Sequence, residues 1–188
     1  GMGNHEYYGG TRGSYDQPAS EQSVRKWLTY FDNPPNGAGT VDQQERFYRL
    51  DYGPVTVIVL DVCNGNDADT SQDTSVGYLS TAAGCQAPDF NPGSVQYQWL
   101  ESQLADAQTN SRFTFVSFHQ VPYSVGYHGR PYPGDTQSGV PTRVLTNLFF
   151  RYGVDAVLSG HDEMYEHSQV TGTEVRPDGS TKDHTVHI

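Results

Sequence analysis

Residues 112–119 read Arg-Phe-Thr-Phe-Val-Ser-Phe-His, and residues 154–161 read Val-Asp-Ala-Val-Leu-Ser-Gly-His. Each is a short apolar run that ends in a histidine. Runs of this length, rich in β-branched and aromatic residues, read as strands covered on both faces. A third run, residues 55–62 (VTVIVLDV), has the same character. Helical spacing fills the gaps between them. Residues 94–107 put Val95, Trp99, Leu100, Leu104 and Ala107 on one stripe behind Ser94 as N-cap, and residues 141–152 put Val144, Leu145, Leu148 and Phe149 on one side. Strand, helix, strand, helix, strand in succession predicts an α/β domain with a mixed, mostly buried sheet and helices packed on it.

Outward from this centre the pattern loosens. Residues 45–52 (ERFYRLDY) alternate and turn at Gly53-Pro54 into the 55–62 run, which predicts a strand pair. Residues 23–31 carry Val24, Trp27, Leu28 and Phe31 at helical spacing, ended by the Pro/Gly-rich residues 33–39. Residues 170–175 and 184–188 flank Arg176-Pro177-Asp178-Gly179-Ser180, a hairpin signal. Residues 64–93 form a polar stretch too long for a simple connector, and read as a lid or specificity insertion. Cys63 and Cys85 flank part of it, as one bridge or as two free thiols.

Composition excludes some functions. The 188 residues carry a net charge of −11, with Lys26 and Lys182 the only lysines, which disfavours a general nucleic-acid binder, since that class needs a basic face. No apolar run approaches the roughly 18 residues of a membrane-spanning helix. The Lys-poor surface, rich in Asn, Thr and Gly, points to a secreted or periplasmic protein.

The chemistry collects at the strand ends. In open α/β sheets function gathers where the carboxyl ends of strands open into loops, and His119 and His161 both stand there. Either histidine alone could be structural; two in equivalent positions point to a site. Gly3-Asn4-His5-Glu6 adds an amide oxygen and another imidazole. Such a mixed N/O set suits Zn, Mn or Fe better than Ca or Mg.

Five blocks in order carry a family resemblance. They are Gly3-Asn4-His5-Glu6, residues 48–55 leading to Leu60-Asp61, residues 96–100 (QYQWL), residues 117–124 (SFHQVPYS) and residues 160–167 (GHDEMYEH). Together they resemble the calcineurin-like metallophosphoesterases, on the purple acid phosphatase side, over nearly all of residues 3–170. The resemblance implies an α/β fold, the C-terminal part of a metallophosphoesterase αββα sandwich. It implies Asn4, His119 and His161 as ligands of one ion of a two-metal centre of Zn, Mn or Fe. It implies His5 and His128 as catalytic groups contacting the phosphoryl group of a phosphate ester, attacked in line by metal-bound hydroxide.

The sequence departs from the family pattern at two places. Glu163 stands where a second histidine would ligate the other ion, and a carboxylate can serve there. His167 replaces an arginine and is assigned no role. The family's Asp blocks, which supply the first ion's ligands and the bridging carboxylate, precede the Gly-Asn-His-Glu block that here occupies residues 3–6. Residues 3–188 are therefore expected to be a partial metallophosphoesterase domain. Metal is expected to be weak or absent in it, the isolated chain inactive, and a homodimer possible through an exposed sheet edge and apolar face. The alternative is a non-catalytic metal- or phosphate-binding fragment or assembly module.

Overall fold

The first antiparallel pair is β1 (Tyr48–Tyr52) and β2 (Val55–Val59), turned by Gly53 at φ +57°, a conformation that a side chain would strain. The computed structural model describes residues 1–7, 19–38, 43–63, 87–130 and 138–188. Within them follow α3 (Val95–Asn110), β3 (Phe113–Ser117), a 3-10 helix (Val140–Leu145) running into α4 (Thr146–Arg151), β4 (Ala156–Leu158), and the hairpin β5 (Gln169–Val175) and β6 (Thr181–His187). Two helices precede the sheet: α1 (Asn4–Tyr7) and α2 (Ala19–Tyr30). The strands form one mixed six-stranded sheet in the order β1-β2-β3-β4-β6-β5, with β2, β3 and β4 parallel.

The helices cover one face. Ile58, Val116 and Val157 align across β2, β3 and β4, and Leu100, Leu104, Leu145, Leu148 and Phe149 close over them. Each such side chain, fully removed from water, stabilises the fold by roughly 1.5–3 kcal/mol. Ser94 caps α3 as expected, its hydroxyl accepting from Tyr97 N–H at 3.2 Å. The buried stripe is Gln96, Leu100, Leu104 and Ala107, while Val95 is exposed. Gln96 takes the inward position because its amide bonds both sides of the Asp61 backbone: Oε1 accepts from Asp61 N–H at 2.9 Å and Nε2 donates to Asp61 C=O at 2.7 Å.

The opposite face corrects the expectation of a sheet buried on both sides. Tyr52, Val55 and Phe113 form one register row; Leu50, Val57, Phe115 and Ala156 form the next. No helix among the described residues lies over these rows, and Tyr52 (89%), Leu50 (48%) and Phe113 (40%) are exposed. The β-branched run that suggested two covered faces therefore has one covered face and one on which Val55 and Val57 are only half-buried.

The elements otherwise follow the sequence with shifted ends. The segment expected as one helix over residues 141–152 is 3-10 through Leu145 and α-helical from Thr146. The insertion expected at residues 64–93 lies mostly outside the described residues; within it, Ala87 and Phe90 are buried. Cys63 is a buried free thiol accepting from Gln120 Nε2 at 3.3 Å, and Cys85 lies outside the described residues.

Candidate metal centre

Sheet register sets the two strand-end histidines side by side. Parallel pairing continues past β3 and β4, with Phe118 N–H donating to Leu158 C=O at 3.1 Å and Gly160 N–H to His119 C=O at 3.0 Å. His119 and His161 thus leave adjacent strands at one level. His161 sits at φ +73° and Glu163 at φ +46°, left-handed conformations rare outside glycine. Such strain costs on the order of 1–3 kcal/mol per residue and persists where the surroundings demand a particular side-chain direction.

The short helix α1 brings the third group. Asn4 is buried, and its Oδ1 lies 2.9 Å from His119 Nε2, which lies 3.0 Å from His161 Nδ1. Gly3 permits this approach: a Cβ there would stand 2.8 Å from His119 Cγ. The glycine of the Gly-Asn-His-Glu block is therefore a steric requirement of the His119 ring.

Helix α1 is itself anchored in a buried polar network. The Tyr7 hydroxyl donates to Asp61 Oδ2 and accepts from Arg46 Nη2 at 2.7 Å, and Arg46 Nε stands 3.7 Å from the same carboxylate. Cys63 N–H donates to Asp61 Oδ1 at 3.2 Å. Burial pushes the Asp61 carboxyl above its ordinary range although the Arg46 charge opposes the shift, and burial pushes Tyr7 and Cys63 up strongly.

Asn4, His119 and His161 open with His5, His128, Asp162 and Glu163 onto one cleft of about 570 Å³. The His128 ring lies 4.2 Å from the His161 ring, centroid to centroid. Two carboxylates hold the loop that carries His128. Asp162 Oδ1 accepts from His128 N–H at 3.1 Å, and Glu166 accepts from the Ser124 hydroxyl at 2.9 Å and from Val125 N–H at 3.0 Å. A Cβ on Gly126 would stand 2.4 Å from Asp162 Oδ2, so the loop passes the carboxylate as bare backbone.

All six residues expected from the sequence therefore line one cleft. Asn4, His119 and His161 form its tight cluster, His5 and His128 flank it, and Glu163 is exposed at its wall without a hydrogen bond among the described residues. His167 stands apart, its Nε2 2.9 Å from His187 Nδ1. The sequence reading missed Tyr7, Arg46, Ser138, Asp162 and Glu166; only the resemblance blocks containing Asp162 and Glu166 carried a signal for any of them.

The donor set fits one transition-metal ion. Ligand nitrogens lie about 2.0–2.1 Å from such ions, which puts neighbouring donor atoms about 2.9 Å apart at octahedral angles and about 3.3 Å at tetrahedral ones. The observed separations are 2.9 and 3.0 Å. Among the described residues no three of His, Cys, Asp or Glu form a complete cage, so the fit is to part of a coordination sphere.

Comparison with known proteins places the chain in a family. The probable purple acid phosphatase 20 of Arabidopsis thaliana is 32% identical over 79 residues, which cover 42% of this chain and 18% of that protein. The solved structure of purple acid phosphatase PPD1 from yellow lupin (Lupinus luteus) seeds superposes with a TM-score of 0.53 at 17% identity, over 98% of this chain and 29% of that one, a likeness of fold. The chain thus spans less than a third of either relative. The family model described as calcineurin-like phosphoesterase matches residues 2–163, from Met2 through Glu163, and the chain belongs to that family.

Proposed function

We propose that this chain carries part of the metal centre of a phosphoesterase acting on phosphomonoesters. The carrying observation is that His119 Nε2 lies 2.9 Å from Asn4 Oδ1 and 3.0 Å from His161 Nδ1 in an open cleft. These three would hold one Zn, Mn or Fe ion, with Glu163 toward a second. Such ions polarise a phosphoryl oxygen and activate water. His5 and His128 supply N–H donors along the same wall, where charge develops on phosphoryl oxygens in the transition state. The Asp162 and Glu166 carboxylates keep the His128 backbone in place for this role.

Three neutral ligands compensate a dication poorly, so in this reading a full centre needs carboxylates beside them. The 188-residue chain should then turn over an aryl phosphate at near background with or without Zn, Mn or Fe. A longer natural protein containing it should hydrolyse the ester, with activity abolished by His161→Ala. An inactive longer protein would overturn the phosphoesterase reading. Robust turnover by the 188-residue chain, lost in His161→Ala, would overturn its incompleteness.

A second reading is a non-catalytic metal- or phosphate-binding or assembly module. It is favoured by the lack of a His/Cys/Asp/Glu cage among the described residues and by the open apolar rows through Leu50 and Tyr52. In isolation the chain would pair through that face and its edge β1, forming a homodimer. A monodisperse monomer by light scattering at high concentration, without apolar-dye binding, would refute the pairing. The Lys-poor, Asn/Thr/Gly-rich surface supports an exported protein; no described helix is long and apolar enough to cross a membrane.

A further inference from the structure

The His161 ring has two nitrogens with different neighbours. Nδ1 faces His119 Nε2 at 3.0 Å inside the cluster, and Nε2 faces the Ser138 hydroxyl at 2.8 Å. Ser138 is fully buried (0% exposed). We propose that Ser138 is a positioning residue: its hydroxyl accepts the Nε2 proton of His161, fixing the tautomer whose Nδ1 lone pair faces His119. This rests on the metal-centre reading above for its purpose, but not for its detection.

The structure supports it at three levels. The backbone holds Ser138 from the following residue: Gly139 N–H donates to His128 C=O at 2.9 Å, while Gly139 C=O accepts from Thr142 N–H at 3.1 Å and from the Thr142 hydroxyl at 2.6 Å. No side chain fits at Gly139, where a Cβ would lie 1.8 Å from Val121 C=O. Ser138 therefore meets His161 from a fixed turn. The His161 backbone in turn sits at a left-handed φ of +73°.

The chemistry supplies the third level. Asn4 Oδ1 can only accept, and it stands at the same His119 nitrogen that faces His161 Nδ1. A common cation needs lone pairs from all three atoms. The neutral His161 ring carries one proton, which must then sit on the far nitrogen. A hydroxyl there accepts it and leaves the inward lone pair free. Outer partners of this kind set both tautomer and ring direction, and their loss typically costs about 10–100-fold in metal affinity.

The test reads the tautomer directly. In the metal-free 188-residue chain at pH about 8, above the ordinary imidazole range, 15N spectra of the imidazoles should show His161 protonated at Nε2. Ser138→Ala should give a mixture of tautomers and lower Zn2+ affinity, by equilibrium dialysis, about 10–100-fold. Ser138→Thr, which keeps the hydroxyl, should restore the single tautomer. A wild-type His161 protonated at Nδ1 overturns the proposal without any variant having to fold. So does a tautomer or a Zn2+ affinity unchanged in folded Ser138→Ala. A chain that binds no Zn2+ yet holds the Nε2-protonated ring supports Ser138 and instead contradicts the metal reading.

Discussion

Deleting the Tyr7 hydroxyl tests how α1, and with it Asn4, is held in the cleft. Tyr7, Arg46 and Asp61 are all buried, and the phenol makes one bond to each charged partner. Hydrogen bonds to charged groups contribute about 1.5–3 kcal/mol each, so two lost bonds set an upper limit of about 6 kcal/mol. The remainder can relax: Asp61 keeps its bond from Cys63 N–H, and Arg46 Nε already stands 3.7 Å from the carboxylate. We therefore expect Tyr7→Phe, which preserves the ring volume, to cost about 3 kcal/mol. For a domain of this size that lowers Tm by about 6–12 °C. The assay is thermal and denaturant unfolding beside Tyr30→Phe, a change at a 72% exposed tyrosine expected to stay within about 0.5 kcal/mol. A Tyr7→Phe loss below about 1 kcal/mol would mean that Arg46 and Asp61 satisfy each other, and that the phenol does not anchor α1.

Gly3→Ala should push the His119 ring aside, its Cβ standing 2.8 Å from Cγ, and weaken Zn2+ binding by about tenfold or more; unchanged binding in equilibrium dialysis would refute the steric role. Burial raises the Asp61 pKa above its unfolded value, so this residue's contribution is fully present below about pH 4 and is lost as pH climbs through the folded value. Unfolding free energies should therefore show wild type losing stability relative to Asp61→Asn as pH rises from about 4, and a trend in the other direction would contradict the shift. Cys63, buried with its thiol pKa pushed up, should resist Ellman's reagent in a folded Cys85→Ser chain and react once in denaturant; immediate native reaction would show the thiol accessible. Leu104→Ala, at a fully buried position on α3, should cost about 2–5 kcal/mol in unfolding free energy, and a loss below 1 kcal/mol would mean the helix is not seated by this stripe.

Apolar spacing made the strands and α3 legible, because Leu100, Leu104 and Ala107 declare a buried face and Ser94 declares a cap. It failed at Val95 because the inward position belongs to Gln96, a polar residue whose backbone bonds to Asp61 have no signature in sequence. The first turn of α2 begins at Ala19, where Ala, Ser and Glu permit a helix without announcing one. The cleft residues Asn4, His119 and His161 were legible because two of them end strands and the third lies in a short recurring block. Ser138 and Arg46 were not, since each acts through a partner distant in sequence: Ser138 on His161 across 23 residues and Arg46 on Tyr7 across 39. The β-branched run of β2 by itself argued for cover on both sides, because nothing in its composition marks the side on which Val55 and Val57 stay half-buried.

Metal loading tests the central claim that Asn4, His119 and His161 bind one ion together. Zn2+ would be measured by elemental analysis after dialysis, with and without a chelator step, in a His187→Ala background that removes the exposed His167–His187 pair. The account predicts at most one Zn2+ per chain, present only when supplied, stripped by chelator, and lost when His119 and His161 are both changed to Ala. Two ions retained through chelator dialysis, or loading undiminished by the double change, would contradict it.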